Sequence, residues 1–237
     1  MKIYAHRGCS GTYPENTLAA FRAAAELPID GIEIDVQLTK DGKMVVIHDE
    51  RINRTTNGKG YVKDLTLEEL QKYDAGSWFS EEWSGEYIPT LDEVLEIFQD
   101  TEHILNIEIK SDIFPYVGLV DKVINLATRR GLLDRMIISS FNHEDVQKVC
   151  HETDAKSAII TSQIYVDIYD YARVIGTKRL HISLPSAYRK MTTEALRKGS
   201  IVYVWTVNSL EYAQELQKIG IHGIFTDYPE RMLKELK

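Results

Sequence analysis

Gly31-Ile32-Glu33-Ile34-Asp35-Val36-Gln37-Leu38 places an aliphatic side chain at every second position. That is the period of a β-strand, so Glu33 and Asp35 share one face while Ile32, Ile34 and Val36 take the other. The stretch Ile104–Lys110 repeats the device, with Glu108 and Lys110 on one side and Ile107 and Ile109 opposite. A half-exposed strand with a polar outer face accounts for either motif alone. In a parallel sheet covered by helices that explanation weakens. The carboxylates would then turn inward, and burying them is costly unless a cation compensates.

Working outward, short apolar runs alternate with amphipathic stretches, the signature of βαβ units. Strands are expected at Lys2–His6, Gly31–Leu38, Ile104–Lys110, Arg135–Phe141, Lys156–Ile160, Arg179–Ser183, Ile201–Val207 and Gly223–Thr226. Helices are expected at Thr17–Glu26, Leu91–Gln99, Pro115–Arg130, His143–His151, Tyr165–Val174, Thr192–Lys198, Leu210–Ile219 and Pro229–Leu236. Gly131 and Gly220 fall where helices end, and Pro229 suits a first helical turn. Eight strands in even alternation favour a closed (β/α)₈ TIM barrel over a doubly wound open sheet. A single barrel domain over residues 1–237 is expected. After the second strand the rhythm breaks. A short extra strand, Lys43–His48, precedes an irregular stretch over 49–90, far longer than the usual βα loop of about 2–6 residues. This small insertion lies on the face where barrel enzymes work. Its aromatics, Tyr73, Trp78, Phe79, Trp83 and Tyr87, are expected mostly to form a core of its own.

Composition narrows the function. The chain has 237 residues, 43% hydrophobic and 27% charged, enough to bury a full core. It holds 28 basic against 36 acidic residues, net −8, the wrong sign for a non-specific nucleic-acid binder. No apolar run is long enough for a membrane-spanning helix. Cys9 and Cys150 cannot build a disulfide framework or a cysteine metal site. The start Met1-Lys2-Ile3-Tyr4-Ala5-His6 lacks an apolar signal core, and a reduced, cytoplasmic protein is expected.

The chemistry concentrates at strand ends. Glu33, Asp35 and Glu108 would converge from neighbouring strands with no cysteine nearby, a donor set for one hard divalent ion, Mg²⁺ or Ca²⁺. His6 ends the first strand and His48 the short extra strand, both beside the carboxylates. Two imidazoles there form a natural acid/base pair, since their ordinary pKa lies near neutrality. Arg7 offers a planar fork suited to phosphate, and Gly8 lets backbone approach a ligand. Lys110 could partner Glu108 or hold phosphate. His103, His143, His151, His181 and His222 fall at helix termini or strand starts and read as structural.

The runs His6-Arg7-Gly8, Pro14-Glu15-Asn16-Thr17, Glu33-Ile34-Asp35-Val36 and Thr39-Lys40-Asp41-Gly42 together resemble the glycerophosphodiester phosphodiesterase family. His48-Asp49, Arg54-Thr55-Thr56, Asn106-Ile107-Glu108-Ile109-Lys110, Ser139-Ser140-Phe141, Trp205-Thr206-Val207-Asn208 and Thr226-Asp227-Tyr228-Pro229 continue the likeness in family order. The resemblance implies a barrel with a segment inserted after the second strand. It implies divalent-metal-dependent hydrolysis of glycerophosphodiesters to glycerol 3-phosphate and an alcohol. Glu33, Asp35 and Glu108 would hold the metal, His6 and His48 would be the acid/base pair, and Arg7 and Lys110 would hold phosphate. Family precedent also allows the glycerol 2-hydroxyl to attack first, giving a cyclic phosphate that water opens. Every functional position of the pattern is present.

Some positions carry two readings. Asn16 could bridge to phosphate or metal, or Asn16-Thr17 could simply cap the first helix. Trp205 and Phe141 could pack on the glycerol carbons or be barrel core and rim. Asp227 reads more readily as a cap for the last helix than as a catalytic group. The resemblance implies a small glycerophosphodiester as partner, and a homo-oligomer is left open. Two rivals remain: a lysophospholipase D, which needs an exposed apolar groove, and a non-catalytic binder of phosphorylated glycerol.

Overall fold

A computed structural model describes residues 1–236. Nine strands form among them: β1 Lys2–His6, β2 Gly31–Leu38, β3 Met44–Val46, β4 Ile104–Ile109, β5 Met136–Ser140, β6 Lys156–Thr161, β7 Arg179–Ser183, β8 Ile201–Trp205 and β9 Gly223–Thr226. All but β3 run parallel in the order β1-β9-β8-β7-β6-β5-β4-β2, and pairing of β1 with β2 closes the ring. This is the expected eight-stranded barrel. The short β3 lies antiparallel on β2 and leads into the insertion.

The described residues form ten α-helices, all but α2 outside the insertion: α1 Leu18–Ala25, α2 Leu67–Leu70, α3 Leu91–Ile97, α4 Leu119–Arg129, α5 His143–Glu152, α6 Ile168–Ile175, α7 Leu184–Ala187, α8 Lys190–Arg197, α9 Leu210–Lys218 and α10 Pro229–Glu235. Two differ from expectation at their starts, for local reasons. Gly118 takes a left-handed φ of 79° and breaks the turn before α4, and Asp167 caps α6 by accepting from the Asp170 amide. The single-turn α2 and α7 are too short to leave a periodic signal. None of the described helices is long and apolar enough to cross a membrane.

Alternation along the strands builds two interiors. Ile32, Ile34, Val36, Leu105, Ile107 and Ile109 face outward and fuse with the helices into one apolar shell. The inward faces carry the polar residues, above an aromatic plug of Tyr4, Tyr203 and Phe225. The Tyr4 ring meets those of Tyr203 and Phe225 edge-on, 5.2 and 5.4 Å between centroids. Phe225 of the plug also lines the cavity that gathers residues from the strand C-termini.

The insertion has its own core, but that core is aliphatic. Val45, Ile47, Ile52, Val62, Leu70, Ala75 and Ile88 form it, with Tyr73 against its edge. Trp78 and Phe79 pair with each other outside it, and Trp83 packs on Tyr13. Tyr87 joins the barrel's shell instead, its hydroxyl donating to Glu93. Trp83 and Tyr87 join the insertion to its surroundings, and the aliphatics fill its small interior.

The outer shell sets global stability. Phe21 of α1 is fully buried, edge-on to Phe98 at 6.3 Å. Phe21→Ala should cost about 3–5 kcal/mol in urea unfolding. Val166→Ala, at a fully exposed position, should cost almost nothing.

Candidate active site

Strand register brings the carboxylates together. His6 lies opposite Glu33, and Asp35 lies opposite Glu108. One carboxylate oxygen from each of Glu33, Asp35 and Glu108 falls within 4.8 Å of the others. Glu33 Oε1 and Asp35 Oδ1 are buried with no hydrogen-bond partner. Hard oxygen donors that converge while two lone-pair sites go unused fit a divalent cation of the Mg²⁺ or Ca²⁺ type.

Crowding splits the protonation behaviour of the set. Burial, and then the charges of Asp35 and Glu108, push the Glu33 carboxyl well above the usual carboxylate range. Burial would raise Asp35 too, but His48, Arg7, Lys110 and the Asn16 amide outweigh it and hold Asp35 low. Burial opposes the charge of Arg7 and Lys110, yet the surrounding carboxylates keep both firmly protonated. With all three carboxylates ionised, as a bound cation would require, they and Arg7 and Lys110 carry one net negative charge. A divalent ion would reverse that to one positive charge, matching a phosphodiester monoanion.

Two unusual backbone positions serve this cluster. Arg7 and Asn16 both adopt left-handed φ, 59° and 58°, which an L-residue occupies only when its surroundings hold it there. The Arg7 amide donates to Glu33 Oε2 at 2.9 Å, and the Asn16 amide donates to the Arg7 carbonyl at 3.1 Å. Asn16 Nδ2 donates to Asp35 Oδ2 at 2.8 Å. Asn16 thus supports Asp35 while its own Oδ1 stays buried without a partner, and the Thr17 side chain caps α1. The strained turn aims Arg7 over the carboxylates. Its Nε lies 3.2 Å from Asp35 Oδ2, near enough for an ion pair although not aligned for a hydrogen bond. Nη1 donates to Glu15 at 2.8 Å, and among the described residues no acceptor engages Nη2.

The two histidines are anchored alike. His6 Nδ1 lies 2.7 Å from Asp227 Oδ1, and His48 Nδ1 lies 2.7 Å from Asp49 Oδ1. A carboxylate at Nδ1 fixes the tautomer and leaves Nε2 free for chemistry. Asp227 is no helix cap: Tyr228 occupies the cap position of α10 and makes no side-chain cap bond. Asp227 is taken up instead by His6, Ser10 and Asn208. Burial would raise its carboxyl, but His6, Asn208 and Ser10 together outweigh this and hold it at about 2.

Arg54, from the insertion, ties the His48 anchor to Glu15. Its Nε and Nη2 donate to Asp49 at 2.8 and 2.9 Å, while Nη1 and Nη2 donate to Glu15 at 2.7 and 2.8 Å. Glu15 in turn holds Arg7. A chain of ion pairs thus runs from the phosphate-type arginine to the His48 imidazole, with bidentate geometry at its centre. Glu15, Asp49, Arg54 and Asp227 stood in the sequence motifs, but spacing alone could not assign them these tasks.

A cavity of about 410 Å³ collects the rest. His6, Arg7, Glu33, His48, Glu108 and Lys110 line its polar side; Phe141, Ile160, Trp205 and Phe225 line its apolar side. Lys110 Nζ pairs with Glu108 at 2.9 Å and sits 5.8 Å from the Phe141 ring centre. Phe141 meets Trp205 edge-on at 5.6 Å, forming an apolar wall opposite the carboxylates. His181, read from sequence as structural, also reaches this cavity from the middle of β7. A mouth that gathers metal-type carboxylates, two oriented imidazoles, two cations and an apolar wall is built for a small phosphorylated ligand.

Comparison with known proteins agrees with that geometry. Residues 6–231 match the Glycerophosphoryl diester phosphodiesterase family. The chain is 44% identical to a glycerophosphodiester phosphodiesterase of Caldanaerobacter subterraneus subsp. tengcongensis, across 98% of this chain and 96% of that protein. It is 41% identical to one from Bacillus altitudinis, across 98% and 97%. Among solved structures, it superposes on an Oleispira antarctica phosphodiesterase in complex with the product sn-glycerol-3-phosphate. The TM-score is 0.93 and the identity 29%, covering 100% of this chain and 96% of that one. A glycerophosphodiester phosphodiesterase of Thermotoga maritima superposes with a TM-score of 0.82 at 31% identity, covering 100% and 98%. With family motifs in order along the barrel and relatives matched nearly end to end, this chain belongs to the Glycerophosphoryl diester phosphodiesterase family.

Proposed function

We propose that this protein hydrolyses glycerophosphodiesters to sn-glycerol 3-phosphate and an alcohol, with one divalent ion, Mg²⁺ or Ca²⁺, held by Glu33, Asp35 and Glu108. The observation that carries this reading is the carboxylate trio flanked by two histidines, each anchored at Nδ1 by a carboxylate, on one cavity. When bound, the ion supplies Lewis acidity that neutralises phosphoryl charge. Arg7 Nη2 and Lys110 Nζ bind the phosphate oxygens and stabilise the charge that builds on them. Phe141 and Trp205 pack against the glycerol carbons.

His6 and His48 move the protons through Nε2. One takes the proton of the glycerol 2-hydroxyl as that oxygen attacks phosphorus; the other protonates the departing alkoxide. The cyclic phosphate so formed is then opened by water with the two roles exchanged. Asp227 and Asp49 keep each ring turned toward the substrate. The two free thiols, Cys9 and Cys150, accord with a reducing, cytoplasmic setting.

A second reading, the same chemistry on a lysophospholipid, draws on exposed aliphatics in the β4–α4 and β6–α6 loops. Ile113 lines the cavity mouth and is 60% exposed, and Val117, Ile164 and Val166 are more open still. One experiment separates the readings. Metal-depleted protein should release no glycerol 3-phosphate from glycerophosphocholine or glycerophosphoethanolamine, and Mg²⁺ or Ca²⁺ should restore release. Lysophospholipids should be the poorer substrates. Full activity in strong chelator would refute the metal dependence, and a reversed preference would favour the lysophospholipid reading.

The histidine roles separate by leaving group. Removing the general acid should cost about 10²–10⁴-fold on an alkyl diester. Much of that loss should vanish in kcat/KM for nitrophenolate release from a p-nitrophenyl diester, whose phenolate leaves without a proton before the roles exchange. Removing the base should damage both substrates alike. One of His6→Ala and His48→Ala should show the rescue, and its absence in both would exclude the acid role for either.

Arg54 touches no substrate in this scheme, yet Asp49, which anchors His48, and Glu15, which holds Arg7, both lean on it. Arg54→Gln should lower kcat/KM about 10–100-fold. Because its side chain is 44% exposed, the melting temperature should barely move. Wild-type kinetics would show that His48 and Arg7 hold their positions unaided.

A further inference from the structure

The strand alternation that sends the apolar residues of β7 outward sends one histidine in. Leu180 and Ile182 join the helical shell, so His181 between them faces the barrel interior. Its ring lies 4.9 Å from Phe225 and 5.6 Å from Tyr203, directly on the aromatic plug. The residue is 2% exposed, and neither ring nitrogen has a hydrogen-bond partner. Asn106 of β4 is in the same condition: it is 1% exposed, and its Oδ1 is unpartnered while Nδ2 donates to Ser139 at 3.0 Å. Both residues line the cavity of the proposed active site.

Buried polar atoms ordinarily find partners, and unpaired ones are costly to keep. A leucine or phenylalanine would pack on the plug without that cost. We infer that His181 and Asn106 form a hydroxyl-recognition subsite at the floor of the cavity, which holds the terminal hydroxyl of the glycerol unit. This inference rests on the reading given under Proposed function. Burial holds His181 far below its ordinary pKa, at about 3, so the ring is neutral at physiological pH. A neutral imidazole offers one donor and one acceptor, and the amide oxygen offers a second acceptor. A hydroxyl answers both, because it gives one proton and accepts another. An anion would meet the Asn106 oxygen unfavourably, and the charged part of the substrate has Arg7 and Lys110 near the mouth. The indole of Trp205 does not compete for the subsite, since it donates to the His181 carbonyl at 3.1 Å. Phosphate near Arg7, carbons against Phe141 and Trp205, and the terminal hydroxyl on His181 would then follow the depth of the cavity. The glycerol 2-hydroxyl remains free to attack phosphorus.

The test compares two chromogenic diesters that differ by one hydroxyl. Glyceryl p-nitrophenyl phosphate has the terminal group; 2-hydroxypropyl p-nitrophenyl phosphate lacks it but keeps the 2-hydroxyl. Wild-type protein, with Mg²⁺ or Ca²⁺ supplied, should favour the glyceryl ester by about 100-fold or more in kcat/KM. His181→Phe keeps the aromatic packing and removes the polar atoms. It should shrink the preference to within about 10-fold by lowering the glyceryl value alone, with the melting temperature maintained. Parity in the wild type, or a preference undiminished in folded His181→Phe, would overturn the subsite and leave a floor filled only by water. Should His181→Phe fail to fold, His181→Leu serves the same comparison, and the wild-type ratio stands as a test without any variant. If the wild type hydrolyses neither ester, the proposed reaction is wrong. The subsite is then judged alone, by calorimetric affinity for sn-glycerol 3-phosphate against 2-hydroxypropyl phosphate. Equal affinity, or no binding of either, overturns it.

Discussion

One oxygen from each of three carboxylates falls within a space of less than 5 Å at the mouth of the barrel, and most of the site follows from that repulsion. Like charges at this distance cannot all stay ionised without compensation. The protein answers by pushing Glu33 toward its neutral form while surrounding Asp35 with His48, Arg7, Lys110 and the Asn16 amide. It also spends backbone strain, at Arg7 and Asn16, to bring an amide and a guanidinium onto the cluster. Compensation is still incomplete, since one oxygen each of Glu33 and Asp35 is unpartnered. A fold that needed only stability would replace such a cluster with packed aliphatics.

The chemistry is held in place by a ring of supports drawn from distant parts of the chain. Asp227 reaches His6 because β9 is the neighbour of β1 where the barrel closes. Asp49, Arg54 and Glu15 meet because the insertion folds back over the β1–α1 loop. The insertion is thus part of the active site through its arginine, while its separate aliphatic core keeps it rigid enough for that task. Orienting groups of this kind matter because small displacements of an acid, a base or a phosphate ligand carry large penalties in rate.

The barrel was legible because its strands alternate so regularly. In Gly31–Leu38 the same alternation that marks a strand also separates shell-facing isoleucines from site-facing carboxylates, so fold and metal-type cluster could be read from one stretch. Helix starts were less legible wherever one residue overrules periodicity, as Gly118 and Asp167 do. Asp227 was misread because an aspartate before a proline-led helix looks the same whether it caps the helix or orients a histidine. Only closure of the ring distinguishes the two. The place of His181 on the cavity was hidden for a related reason. A histidine between Leu180 and Ile182 reads as an ordinary strand residue until Tyr203 and Phe225 arrive from other strands to make a floor beneath it. In the insertion, hydrophobic size misled, because the wide aromatic rings sit at its borders and the aliphatics fill its centre.

The repulsion among the carboxylates is relieved most directly by a cation, and calorimetry measures that without any substrate. Metal-depleted protein titrated with Mg²⁺ or Ca²⁺ should bind one ion per chain, with a matching rise in melting temperature. Both effects should disappear when Glu33→Gln and Asp35→Asn are combined. No heat and no thermal shift in the wild type, or binding undiminished in the folded double variant, would contradict the assignment of Glu33, Asp35 and Glu108 as the metal centre.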